Sequence, residues 1–138
     1  MSGPRLLLFH KQGNSARTRF VRFGDSLLAF APLPQGALLR AEDAAPGKPV
    51  PHPAALLKLA EGKLGLPGGS LQFEPEFSAT LDTPQGEVPV LLAGFTTLNP
   101  PFVAADSVGG RFVALTEMRG LPALELDLVR RAYTVILG

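Results

Sequence analysis

Residues Phe77 to Asp82 alternate strictly: Phe77, Ala79 and Leu81 are apolar, and Ser78, Thr80 and Asp82 between them are polar. A period of two marks a strand with one face buried. The next four residues, "TPQG", carry proline second and glycine fourth, the composition of a type I turn, and "EVPVLLAGFTT" returns as a longer, more apolar strand. An antiparallel hairpin is expected here. Upstream, "RTRFVRF" is rich in strand formers, "SLLAFA" is a short apolar run and "GALLR" follows a "PLPQG" turn; a β-meander is the simplest arrangement of these pieces. Downstream, "LNPPF" breaks the pattern, "AADSVGG" reads as a flexible connection and "RFVALTE" as one more strand.

Two stretches switch to a helical period. From Pro53, a natural first-turn residue, Leu56, Leu57, Leu59, Ala60 and Leu64 share one helical face, and Gly65 and Pro67 supply a stop. Pro67 to Ser70 then read as the exit turn. From Pro122, the segment "PALELDLVRRAYTVIL" presents a broad apolar face that includes Leu121, Leu124, Leu128, Val129, Ala132, Val135 and Ile136. Glu125 and Asp127 come early in it and Arg130 and Arg131 late, the order a helix dipole favours. Between the meander and the first helix, Pro46, Pro49, Pro51 and Pro53 remove backbone donors and predict an extended loop. The expected fold class is an α/β (α+β) sandwich: a mixed β-sheet with a central helix and a C-terminal helix, in a single domain over residues 1–138.

Composition narrows the function classes. A chain of 138 residues buries roughly two-thirds of its unfolded surface and needs no staples. It has no cysteine, which removes disulfides, thiolate metal sites and a cysteine nucleophile, and suits a reducing compartment. "LLLF" after Arg5 is too short for a secretory signal core, and no apolar run approaches the roughly 18 residues of a membrane span, so no membrane partner and a cytoplasmic location are expected. The net charge is +1, yet Arg5, Lys11, Arg17, Arg19 and Arg22 all precede the first acid, Asp25. They form either a basic outer face of an early hairpin or an anion-binding face. Without tryptophan, with one tyrosine and with so small a basic excess, the chain is not expected to bind nucleic acid.

Among candidate chemical groups, His10 and His52 are the only histidines and read as surface or satisfied side chains. There is no G-x-S-x-G elbow and no phosphate-loop motif, and the glycine-rich "GKLGLPGG" follows a helix instead of opening one. Lys63 falls inside the apolar stripe of the first helix, where it either complements the helix dipole with its stem on apolar surface or meets an anion. "FTTLNPPF" reads as a connecting loop, a pocket wall or a dimer contact.

The segments "KLAEGKLGL", "GEVPVLLAGFTT" and "GGRFVALTEMRGLP", in this order and spacing from about Arg17 to the end, resemble a Nudix domain. That family's signature helix reads R-E-U-x-E-E-x-G-U, and its glutamates hold Mg²⁺ against a diphosphate. Laid on "KLAEGKLGL", Gly65 and Leu66 match and Lys58 replaces the arginine, but the glutamate positions hold Leu59, Gly62 and Lys63. None of these binds Mg²⁺, and the signature's upstream glycine and glutamate fall on Ala44 and Val50. "LPGGSLQFEPE" is similar to the family's loop before the helix, yet the residues after it alternate with period two and include Pro84 and Gly86, which oppose a helix. Glu74 and Glu76, flanking Pro75, then read as a solvated strand edge or bulge.

The resemblance therefore implies a Nudix-like domain without metal-dependent hydrolase activity, with no metal and no cofactor, binding a nucleotide-diphosphate-like ligand or a protein partner. If active, it would be a pyrophosphohydrolase of the Nudix type. A different class is a structural module that homodimerises through the apolar hairpin and "LNPPF"; a third is an unrelated α+β domain. The ligand-binding candidates are Arg17 and Arg19, which share a strand face, with Lys63 and Arg111.

Overall fold

In the computed structural model, which describes residues 3–13 and 17–138, the run Leu6-Leu7-Leu8-Phe9 forms the middle of β1 (Arg5–Lys11). A run without alternation suits a strand buried on both faces, and all four residues are buried. β1 lies parallel to β7 (Gly86–Phe95), from Arg5 opposite Val90 to Phe9 opposite Gly94. At Gly94 the ring of Phe9 lies against the β7 backbone, and a Cβ there would sit 2.7 Å from the ring. Only glycine permits that approach.

Each central strand divides its other edge between two antiparallel partners. β1 pairs with β3 (Leu28–Ala29) at Leu6 and Leu7, and with β2 (Thr18–Arg22) from Phe9 to Lys11. β7 pairs with β6 (Ala79–Thr83) from Gly86 to Val90, and with β5 (Leu71–Phe73) from Ala93 to Phe95. β4 (Leu38–Leu39), on β6, and β8 (Arg111–Val113), on β2, close the two sides of a mixed eight-stranded sheet. Such short edges offer little backbone for another chain to pair with.

Helices cover both faces. Leu128, Val129 and Ala132 of α3 (Ala123–Leu137) pack with Leu7, Phe9, Phe20, Leu81 and Val88. On the opposite face Leu57, Ala60 and Leu64 of α1 (Pro53–Leu64) and Ala105 of α2 (Phe102–Ser107) pack with Leu6, Leu8, Val21, Leu91 and Phe95. Each fully buried leucine contributes about 1.5–3 kcal/mol. The α/β sandwich, the hairpin and both expected helices are therefore present. Among the described residues no helix is long and apolar enough to cross a membrane.

Several local expectations are corrected. The first forty residues are not a meander: β2 and β3 both pair with β1, and β4 lies across the sheet on β6. The non-alternating run after Pro4 is the central strand, which a search for period two passes over. "AADSVGG" is not a loose connection, because α2 forms over Phe102–Ser107, built on alanines and ended by Gly109 with φ +77°. The strand expected over "RFVALTE" stops at Val113; a 3₁₀ turn, Leu115–Glu117, follows, with the Ala114 N–H donating to the Glu117 carboxylate at 2.9 Å. Thr80, expected on a polar face, is buried.

Glu125, in the first turn of α3, does more than complement a dipole. Its carboxylate accepts the Leu27 N–H at 2.6 Å and the Ser26 hydroxyl at 2.9 Å, tying the turn before β3 to the helix. Burial raises its pKa above 4.5, against the lowering effect of those two donors and of Arg22. A carboxyl with a raised folded pKa holds its proton more tightly folded than unfolded. Its contribution is therefore complete below pH 4.5 and declines as pH rises through the folded value. Urea midpoints measured across this range should fall with pH in the wild type and be flatter in Glu125→Gln, while Asp82 and Glu87, whose pKa values Arg40 lowers, act alike in both proteins. Identical pH profiles would contradict a desolvated Glu125.

Candidate functional site

Helix α1 is delimited by its own sequence. Pro53 occupies its first turn, and Gly65, in the left-handed region at φ +68°, ends it with the Leu66 N–H donating to the Glu61 carbonyl at 2.9 Å. The exit turn closes with the Ser70 N–H on the Pro67 carbonyl at 3.2 Å. The face turned to the sheet is Leu57, Ala60, Glu61 and Leu64, at spacings of three and four. Leu59, expected on it, is 67% exposed. Glu61 takes the inward place because its carboxylate has work there: one oxygen accepts the Gly69 N–H at 3.0 Å and the Leu71 N–H at 2.9 Å. It fixes the exit turn and the start of β5.

The other side of α1 borders a depression of about 260 Å³ lined by Arg5, Ala29, Phe30, Leu56, Leu59 and Lys63, among others. Its character is apolar, with the cation of Lys63 at its edge. The Lys63 ammonium stands 4.9 Å from the centroid of the Phe30 ring, a cation–π geometry, and Phe23 buttresses that ring edge-on at 6.0 Å. Arg5 is buried at the head of β1; its Nε donates to the Pro32 carbonyl at 3.1 Å and its Nη1 to the Gly3 carbonyl at 2.6 Å. Burial lowers its pKa, but a guanidinium starts so high that it stays charged.

Among the described residues, neither Arg5 nor Lys63 belongs to the ion-paired part of the charged network. Arg22, Arg40, Arg130 and Arg131 each have a carboxylate within 4 Å. Arg5, as deeply buried as Arg22, has none among the described residues, and neither has Lys63. An anion entering the depression would meet Lys63 without having to displace a carboxylate, whereas Arg5, level with Val90 and alternating with Leu6, belongs to the sheet face that α3 covers.

The positions matching the Nudix glutamates, Leu59, Gly62 and Lys63, are all exposed on α1 and offer no carboxylate, and Glu61 points the other way. Among the described residues no group of three or more histidine, aspartate or glutamate side chains converges to hold a metal ion. Residues with this donor set do not fit a Mg²⁺ site on α1.

Of the four expected ligand residues, Lys63 alone lies in this depression. Arg17 precedes β2, and Arg19, opposite His10, has Nη1 3.4 Å from the Gln12 amide oxygen. Ala29 beside the depression pairs with Leu6, so Arg19 is four residues along β1, roughly 13 Å away. Arg111 is paired with Arg22 on β8, and alternation puts it on the sheet face opposite Arg19. Phe30 was missed, and so was the burial of Arg5 at the head of β1. The available signal was a single charge directly before a wholly apolar run.

His10 is buried, its Nε2 2.8 Å from the Thr97 carbonyl and its Nδ1 without a partner, while exposed His52 precedes α1 at φ +57°. Glu74 is half-buried and Glu76 exposed between β5 and β6, in keeping with a solvated edge. No protein-family model matches the chain, and no curated protein matches it.

The role of Glu61 is open to a direct check. Glu61→Ala leaves two backbone donors without an acceptor and should cost about 2 kcal/mol, whereas Glu61→Gln, which keeps an acceptor oxygen, should cost about half as much. Urea unfolding gives the totals, and amide exchange at Gly69 and Leu71 should accelerate in the alanine variant ahead of the rest of the sheet. Unchanged exchange there would remove the assignment.

Proposed function

We propose that this chain is a Nudix-like domain that has lost metal-dependent hydrolysis and binds an anionic ligand of the nucleotide-diphosphate kind beside α1. The observation that carries the reading is Lys63, a cation with no carboxylate partner among the described residues, standing over Phe30 at the edge of a largely apolar depression. The order of elements supports the family likeness: strands, a helix ending in Gly65 and Leu66, a hairpin, a strand and a terminal helix. The helix positions that would hold the metal carry Leu59, Gly62 and Lys63. A phosphate at Lys63 gains a charge-assisted hydrogen bond of about 1.5–3 kcal/mol.

Titration with ADP-ribose, NADH and nucleoside triphosphates should raise the melting temperature in a concentration-dependent way, as any ligand of the folded state does. With Mg²⁺ or Mn²⁺ no monophosphate should be released. Lys63→Ala should weaken binding about tenfold or more and Lys63→Glu should abolish it. Robust turnover, or affinity indifferent to Lys63, defeats the proposal.

A second reading, homodimerisation, is favoured by one surface. Leu98, Phe102 and Val103 are 81%, 55% and 85% exposed, next to one another in sequence around the "LNPPF" loop and α2. The β6–β7 hairpin is not part of that surface, since Val88 and Val90 are buried in the sheet. Sedimentation over a concentration series separates the readings: a stable dimer that Val103→Asp dissociates, with no nucleotide-induced melting shift, favours assembly.

A further inference from the structure

We propose that residues 46–51 form a preset polyproline-II ridge that docks into an aromatic-lined groove on a partner protein. From Ala45 to Pro51 every residue except Gly47 is a proline or stands directly before one. Proline fixes φ at about −65°, and the residue before it is pushed out of the α region, so the run is confined to an extended path of three residues per turn without internal hydrogen bonds. Burial follows the same period: Gly47, Val50 and Pro53 are half-buried, while Pro46, Lys48, Pro49, Pro51 and His52 are exposed. The inward edge is firmly seated. A Cβ on Gly47 would lie 2.7 Å from the Thr80 hydroxyl oxygen, the Lys48 N–H donates to the Glu87 carboxylate at 3.1 Å, and Val50 packs into the core cluster beneath α1. His52, in the left-handed region at φ +57°, ends the run before α1.

Two edges of the ridge remain outward. Pro46 and Pro49 stand one above the other, about 9 Å apart along its axis, and Lys48 and Pro51 run along the second edge. Aromatic grooves recognise this placing, because their rings take pyrrolidines at successive turns and the ridge has almost no conformational entropy left to lose. Charge selects the partner further. The one charge on the ridge is Lys48, whose ammonium has no carboxylate within 4 Å among the described residues. Glu87 at its foot is already engaged, by Arg40 Nη2 at 2.9 Å and by the Lys48 N–H. The complement is a groove of aromatic side chains with a carboxylate at its rim. Between the ridge and Pro4 and Pro89, a mostly apolar cavity of about 540 Å³ gives such a side chain room to enter. Stiffening the path to α1 explains prolines as such; it leaves unexplained an unpaired cation set between their exposed rings.

The intact chain, labelled for NMR, tests this by titration with purified WW and SH3 domains, whose grooves are built from aromatic residues. The amides of Gly47, Lys48 and Val50 should shift together and saturate, while those of Leu59 and Lys63 stay in place. Pro49→Ala should weaken binding about tenfold, and Lys48→Glu by as much or more. Pro84→Ala, at an exposed proline in the β6–β7 turn, should leave it unchanged. Melting temperatures establish that each variant is folded. Absence of shifts with every domain overturns the ridge as a docking site, and so do shifts that Pro49→Ala leaves unaltered. Neither result bears on the ligand beside α1, which Lys63 reports separately.

Discussion

Because β1 and β7 run parallel and are buried on both faces, every backbone donor and acceptor along them must be satisfied inside the sheet, and both faces need a covering layer. The rest of the chain is arranged around that requirement. A parallel pair cannot be joined by a tight turn, so the connection from β1 to β7 has to be long, and it carries α1, the loop before it and five of the other strands. Their antiparallel partners divide the outer edges between them, β3 and β2 on β1, β6 and β5 on β7. The depression beside α1 lies where β3 meets β1.

The sequence was most legible where polarity alternates or punctuation is strong. β6 and β7 around Pro84, α1 between Pro53 and Gly65, and α3 after Pro122 could all be read from pattern alone. It was least legible where burial is symmetric. β1 has no polar face to announce it, and its pairing with β7, 85 residues distant in register, leaves no local trace. Short elements also escaped: α2 has six residues, too few for a helical period to stand out from alanine and glycine composition. Of the candidate site, Lys63 was visible as a charge in an apolar stripe, but the stripe included Leu59, which is exposed, and did not include Glu61, which is buried. Hydrophobicity decides such a choice on average, and here a carboxylate with two backbone donors to meet outweighed a leucine.

Two glutamates show the same physical use of a charged side chain. Glu61 and Glu125 each sit on the inner face of a helix and each accepts a backbone N–H at the entry of a strand, Leu71 at the start of β5 in one case and Leu27 just before β3 in the other. In both, a helix is locked to the entry of a short strand that has few hydrogen bonds of its own. The cost of removing the carboxylate from water is offset by donors that would otherwise be buried without partners. An aspartate or glutamate inside an apolar helical face is therefore better read as an acceptor for a neighbouring turn than as an error in the helix's register.

Arg5 is the opposite case. It is buried to the same extent as Arg22, and both satisfy nitrogens on carbonyl oxygens, but Arg22 has Asp25 at 3.9 Å and two further carbonyls across the sheet. Carbonyl dipoles orient a guanidinium without cancelling its charge, and burial already works against the charged form at Arg5. In a fold whose net stability is of order 5–15 kcal/mol, a cation held this way is a measurable weakness. Replacing Arg5 with an aliphatic residue would extend the Leu6–Phe9 run by one and suit β1 at least as well on packing grounds. What a cation adds there is the pair of hydrogen bonds to the Pro32 and Gly3 carbonyls, which tie the start of β1 to the segment after β3 and which an aliphatic side chain could not make.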